Sequence, residues 1–134
     1  MEVMVVLVIV GLLVSVISVS LVAVRQRGRN AQRSADVSSI LNAVYQYALD
    51  NNNQLPPTIT TATTSICQTG AASCTGLIDL SVLTNSQKYL TNVPVDPSCT
   101  STTDTKYSIL KNANNRVTIV ALNAEANVTV SITR

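Results

Sequence analysis

Residues 3–24, VMVVLVIVGLLVSVISVSLVAV, run for twenty-two positions without a charge. Wound as an α-helix at about 1.5 Å per residue, they cover about 33 Å, close to the roughly 30 Å hydrocarbon thickness of a bilayer. The run exceeds the ~7–15-residue apolar stretch of a secretory signal, and no Lys or Arg precedes it. It therefore reads as a membrane span or as a helix that other helices must cover. A chain of 134 residues that gives this much to one element keeps about 110 residues for the rest, room for one small folded unit.

Charge brackets the run. Glu2 stands immediately before it, and Arg25, Arg27, Arg29 and Arg33 follow it. The four arginines carry +4, while Glu2 and the remainder from Ser34 onward contribute −1 each, which accounts for the formal net charge of +2. The folded part is close to neutral, so a nucleic-acid-binding face is not supported. The arginines read first as a solvated or headgroup-binding collar and second as inter-subunit contacts for acids such as Asp36 or Asp50. The chain has no His, Trp or Phe. Without a histidine to activate a nucleophile, a metal cluster or a phosphate loop, an enzyme is not expected and no cofactor is implied.

Beyond Arg25 the pattern turns amphipathic without a break. Val37, Ile40, Leu41, Val44, Tyr47 and Ala48 recur at three- and four-residue steps, so the helix is expected to continue to about Asp50. Gly28 costs it about 1 kcal/mol relative to Ala and permits a local bend. Asn51, Asn52 and Asn53, then Pro56 and Pro57, stop it. Residues 51–92 read as a long loop with little regular structure, apart from a short helical turn in GLIDLSVL capped by Asp79. VPVDP at 93–97 marks a rigid turn, and three strand-like runs follow at 106–111, 116–123 and 128–133, with links suited to an antiparallel meander. The expected fold is α+β: a long N-terminal α-helix, one half membrane or filament core and the other amphipathic, packed against a small antiparallel β-sheet head. Its segments are 1–24, the hydrophobic helix; 25–50, the amphipathic helix; 51–97, the αβ loop; and 98–134, the meander.

Cys67, Cys74 and Cys99 sit in a small Thr-rich unit that, attached to a membrane helix, is expected outside the cytoplasm, where disulfides persist. Cys67 with Cys74 is the easiest pair to bridge and leaves Cys99 free; Cys74 with Cys99 is the competing pairing. Asp96 and Asp104 flank a loop that is a weak calcium candidate, since two carboxylates are few for an ion that takes about six to eight oxygens. Asn127-Val128-Thr129 matches a glycosylation triplet, a pattern that also arises by chance.

Together, EVMVVLVIVGLL at 2–13 and RNAQRSADVSSILNAVYQYALDNNNQLP at 29–56 resemble the type IV pilin and pseudopilin family, with a weaker likeness in VPVDP and the terminal strands. The resemblance implies a helix that anchors the subunit in the inner membrane and later forms the core of a helical filament, with the sheet head on its outer half. It also implies processing by a prepilin peptidase, a pilus assembly machinery as partner, and a short leader and three further residues ahead of Met1. Glu2 matches the family's glutamate, which meets the N-terminal amine of a neighbouring subunit, and Gly11 matches the glycine nine residues on. Two features depart from the family: Val19 stands where many relatives have proline, and the C-terminal disulfide-bounded loop of adhesive pilins is missing.

Physical cost supports a role for Glu2. A carboxylate drawn into an apolar core costs about 2.5–3.5 kcal/mol on insertion scales, and a compact positive partner offsets this. The acid then marks the register, because a subunit at the wrong height leaves it unpaired. The plainer alternative makes Glu2 an interfacial residue of an ordinary single-span protein. The expected function is a structural subunit, single-pass in the cell membrane before assembly and extracellular afterwards, that polymerises into a pilus-like filament for adhesion, motility or DNA uptake. A type II secretion pseudopilin and a monomeric membrane-anchored surface binding module are the alternatives.

Overall fold

The computed structural model describes residues 2–134, except the side chains of residues 17–20; Met1 and the Val19 side chain, on which two of the expectations above fall, lie outside the described residues. One helix, α1, spans Glu2–Asp50 without interruption. The helix is unbroken at Gly28, the position where the sequence permits a local bend. At its end Asn52 and Asn53 take left-handed φ values of 55° and 60°, and the Asn53 N–H returns to the Ala48 carbonyl at 2.8 Å. Asparagine tolerates this conformation because its short polar side chain can bond locally, which makes the asparagine triplet an effective stop.

Four strands form one antiparallel sheet in sequential order: β1 Thr64–Cys67, β2 Asp104–Lys111, β3 Val117–Ala121 and β4 Val130–Thr133. The meander expected over the last three strands is present, with the second and third shorter than the sequence runs. β1 was not anticipated: it lies in a Thr-rich stretch with one isolated large apolar residue, Ile66. Its pairing is irregular, since Ser65 faces Ser108 while Cys67 faces Asp104. The extra residues sit on β2, where Lys106 adopts φ 65°. A bulge of this kind leaves a carbonyl without its ladder partner, and here Thr105 Oγ1 donates to the Ile66 carbonyl at 2.9 Å. On its other side β1 is bridged in parallel to Ile78, with Cys67 N–H to the Ile78 carbonyl at 2.8 Å.

One face of the sheet carries Tyr107, Ile109, Val117, Ile119, Ala121 and Val130, and α1 lays Val37, Ile40, Leu41 and Val44 over it. The opposite face is mixed, with Leu110 and Val120 among Ser108, Thr118, Ser131 and Thr133, and the Thr118 and Thr133 hydroxyls are in contact at 2.8 Å. The connection from 51 to 97 does more than join two elements. It supplies Ile59, Ile66, Ile78, Leu80, Leu83 and Val93 to the same core. Its short helix α2, Ser81–Thr84, has Leu80 at the cap position with no side-chain capping bond, so Asp79 is not the cap that the sequence suggests; one residue earlier, its Oδ1 accepts the Ser81 N–H at 2.8 Å. The chain end is tied in as well: Tyr45 donates its hydroxyl to the Arg134 carbonyl, and Tyr47 meets Tyr89 edge-on at 5.7 Å. Ile119, opposite both Ile109 and Ile132, is fully buried at the centre. Ile119→Ala is expected to destabilise the head by roughly 2–5 kcal/mol, read as a lower urea midpoint with an unchanged slope.

Candidate assembly segment and its joint with the head

α1 lives in two environments. Fifteen large apolar side chains between Val3 and Val24 are 48–74% exposed, and the window is long and apolar enough to cross a membrane. Burying an aliphatic side chain is worth on the order of 1.5–3 kcal/mol, so this half leaves tens of kcal/mol of hydrophobic free energy for its surroundings to supply. Soluble monomers seldom expose apolar patches beyond a few hundred Å². Glu2 opens the helix in its first turn, where a carboxylate also suits the helix dipole. Gly11 lies on the exposed half with open space around its Cα.

Between the two halves sits a cluster of charge. Arg33 is fully buried. Its Nε donates to Asp96 Oδ2 at 2.7 Å, and its Nη2 to Asp96 Oδ1 at 3.2 Å and Ser98 Oγ at 3.0 Å. Its Nη1 donates to Asn30 Oδ1 at 2.9 Å, and both terminal nitrogens reach Glu125 Oε1 at 3.3 Å. Arg29 grips the same glutamate with a two-pronged contact, Nε to Oε1 at 2.6 Å and Nη2 to Oε2 at 2.5 Å. Asn30 completes the clamp on the backbone: its Nδ2 donates to the Glu125 carbonyl at 2.8 Å while Glu125 N–H donates to its Oδ1 at 3.0 Å. Among the described residues no buried side-chain polar atom lacks a partner.

The geometry corrects three expectations. Arg33 is not available for a solvated or headgroup-binding collar or for inter-subunit contacts, because it is fully buried with its donors held inside its own head; Arg29 gives Nε and Nη2 to Glu125 and is partly exposed, and Arg25 and Arg27 are exposed. Asp36 and Asp50 are likewise engaged within the chain, the first accepting from Tyr107 Oη at 2.7 Å and the second from Lys88 Nζ at 2.8 Å. Asp96 and Asp104 are no calcium pair: Arg33 occupies one carboxylate, Lys106 pairs with the other at 2.9 Å, and the described residues contain no metal-holding cluster. The cysteines follow the first of the two pairings, Cys67 to Cys74 with Cα atoms 5.5 Å apart, and Cys99 stays a thiol.

Electrostatics at the joint favour the ionised forms. Burial pulls the Asp96 carboxyl upward, but hydrogen bonds from Arg33 and Ser98 outweigh it and hold the group below the ordinary carboxylate range. The two-pronged bond from Arg29, with help from Arg33, does the same for Glu125. Desolvation and the hydrogen bond to Asp36 push the Tyr107 hydroxyl up, so it remains a donor. No protein family's sequence profile matches the chain, and no curated protein or solved structure is detectably similar to it. The class is therefore defined by architecture: a long apolar helix whose second half is packed on a small antiparallel sheet with one disulfide, an arrangement compatible with the pilin fold.

Removing one partner from a buried pair is costly. Arg33→Met is expected to destabilise the head by about 3–5 kcal/mol, whereas Arg33→Met combined with Asp96→Leu recovers most of the loss, measured by urea unfolding of the chain in detergent. Acid acts on the same groups. Because Asp96 and Glu125 titrate lower in the folded than in the unfolded chain, their contribution is complete at neutral pH and is lost as pH falls below about 4. The unfolding midpoint is expected to decline below that pH, with a shallower decline in Arg33→Met.

Proposed function

We propose that this protein is the structural subunit of a type IV pilus-like extracellular filament, polymerising through its apolar N-terminal helix. One observation carries the reading: α1 is continuous from Glu2 to Asp50, yet its first half exposes its apolar surface while its second half is covered by the head. Another copy of the same helix is a partner with matching chemistry, and repetition of one such contact builds a helical polymer. Before assembly the same run resides in the cell membrane as a single pass, and the head faces outward on the finished filament. A prepilin peptidase and an assembly machinery are the partners this reading calls for, and adhesion, motility or DNA uptake the tasks.

The length of the apolar window also suits a monomeric surface module held by one membrane span, and a pseudopilin of a secretion system is a shorter-filament variant of the leading reading. Glu2 separates these. In a filament core its charge needs a positive partner at one axial offset, whereas at a headgroup layer it needs none. Glu2→Gln is expected to abolish or strongly reduce filaments seen by electron microscopy of surface appendages, while the head's urea midpoint is unchanged. Normal filament yield from that variant overturns the register role. Wild-type protein that cross-links only as monomers overturns the filament itself.

A further inference from the structure

Each arginine that follows the apolar run has a distinct position in the fold. Arg29 and Arg33 are neutralised by Glu125 and Asp96. Arg25 and Arg27 are exposed and, among the described residues, their side chains have neither a hydrogen bond nor an ion pair. Two positions apart on a helix, they point about 200° from each other, so no single carboxylate on one neighbour can meet both. A layer of anions surrounding the helix can. They begin one residue after Val24, where the apolar run ends.

A second observation concerns the residues around the joint. Four large aliphatic side chains on the head are exposed among the described residues: Leu49, Val95, Leu122 and Val128. Three of them border the joint. Val95 adjoins Asp96, the partner of Arg33, and Leu122 and Val128 lie three residues to either side of Glu125, the partner of Arg29. The loop that carries Leu122 and Val128 is held against α1 at Glu125 by the Asn30 clamp. Three of the head's four exposed large aliphatic side chains are thus close in sequence to the residues that contact α1 at Arg29 and Arg33, one to two turns beyond Arg25 and Arg27.

We propose that this end of the head is a seat for an anionic bilayer surface: Arg25 and Arg27 take lipid phosphates around the helix, and Val95, Leu122 and Val128 enter the headgroup layer beside them. The proposal rests on the reading that residues 3–24 enter a bilayer before assembly. It adds that the head then lies directly on the membrane and does not stand away on a free stalk. Basic residues at a bilayer face gain from the negative potential of anionic lipids, and the gain disappears with salt.

The test uses the full chain diluted from detergent into vesicles of phosphatidylcholine alone or mixed with phosphatidylglycerol. Phosphatidylcholine binding reports the apolar helix. Adding phosphatidylglycerol is expected to tighten wild-type binding by roughly tenfold or more at low salt. Arg25→Gln with Arg27→Gln is expected to keep the first and lose the second. The chain has no tryptophan, so Val128→Trp is a clean reporter. Its emission is expected to shift blue and be quenched by headgroup-proximal spin-labelled lipid, whereas Asn114→Trp, in the β2–β3 turn at the other end of the sheet, is not. Equal gain in the double arginine variant, or identical behaviour of the two reporters, overturns the seat while leaving insertion intact. Failure of the wild type to bind phosphatidylcholine overturns both readings. A blue shift of Val128→Trp that depends on protein concentration without vesicles assigns the surface to a second copy and also overturns the seat.

Discussion

A guanidinium without access to water holds this molecule together at its waist. Arg33 lies on the same helical stripe as Val37, Ile40, Leu41 and Val44, yet it meets carboxylates where they meet aliphatic side chains. Burying such an ion costs several kcal/mol unless every donor finds an acceptor. Asp96, Ser98, Asn30 and Glu125 supply those acceptors from three separate stretches of chain. The αβ connection and the β3–β4 loop must therefore both return to the same turn of α1. The head closes around that requirement.

The helix on either side of this joint obeys different rules. Below it, side chains are apolar on every face, the pattern of a helix meant for apolar surroundings on all sides. Above it, apolar residues keep to one stripe and the remaining faces are polar. Since α1 is continuous through Gly28, a single helix joins the two regimes and links whatever holds the lower half to the head. The clamp on Glu125 makes that coupling tight, because it fastens the sheet end nearest the apolar half.

Most of the architecture was legible in the amino-acid pattern. The three- and four-residue spacing from Val37, the asparagine triplet and the alternation in β4 each reflect local physics that tertiary contacts did not overrule. β1 was hidden because four residues of a Thr-rich tract give little periodicity, and its strand state depends on β2 and on the Ile78 bridge. The role of Arg33 is hidden for a different reason. It stands four residues before Val37, so helical spacing alone places it on the buried stripe, but its charge argues for the surface. The deciding fact, acids at positions 96 and 125 brought to the same turn, is a product of the fold and has no signature in the neighbouring sequence.

Apolar contact alone does not tell a sheet where on a long greasy helix to stop. Val37, Ile40, Leu41 and Val44 are similar in size, and twenty-two uncharged residues lie just below them, so a slip of one turn, about 5.4 Å, still sets aliphatic against aliphatic. The same slip removes Arg33 from Asp96 and Glu125 and leaves buried charges unpaired. A polar joint that is neutral in stability beside an apolar substitute is then selective among registers, because only one alignment satisfies all of its donors. By keeping the sheet off residues 3–24, the joint leaves that surface open for its own partners.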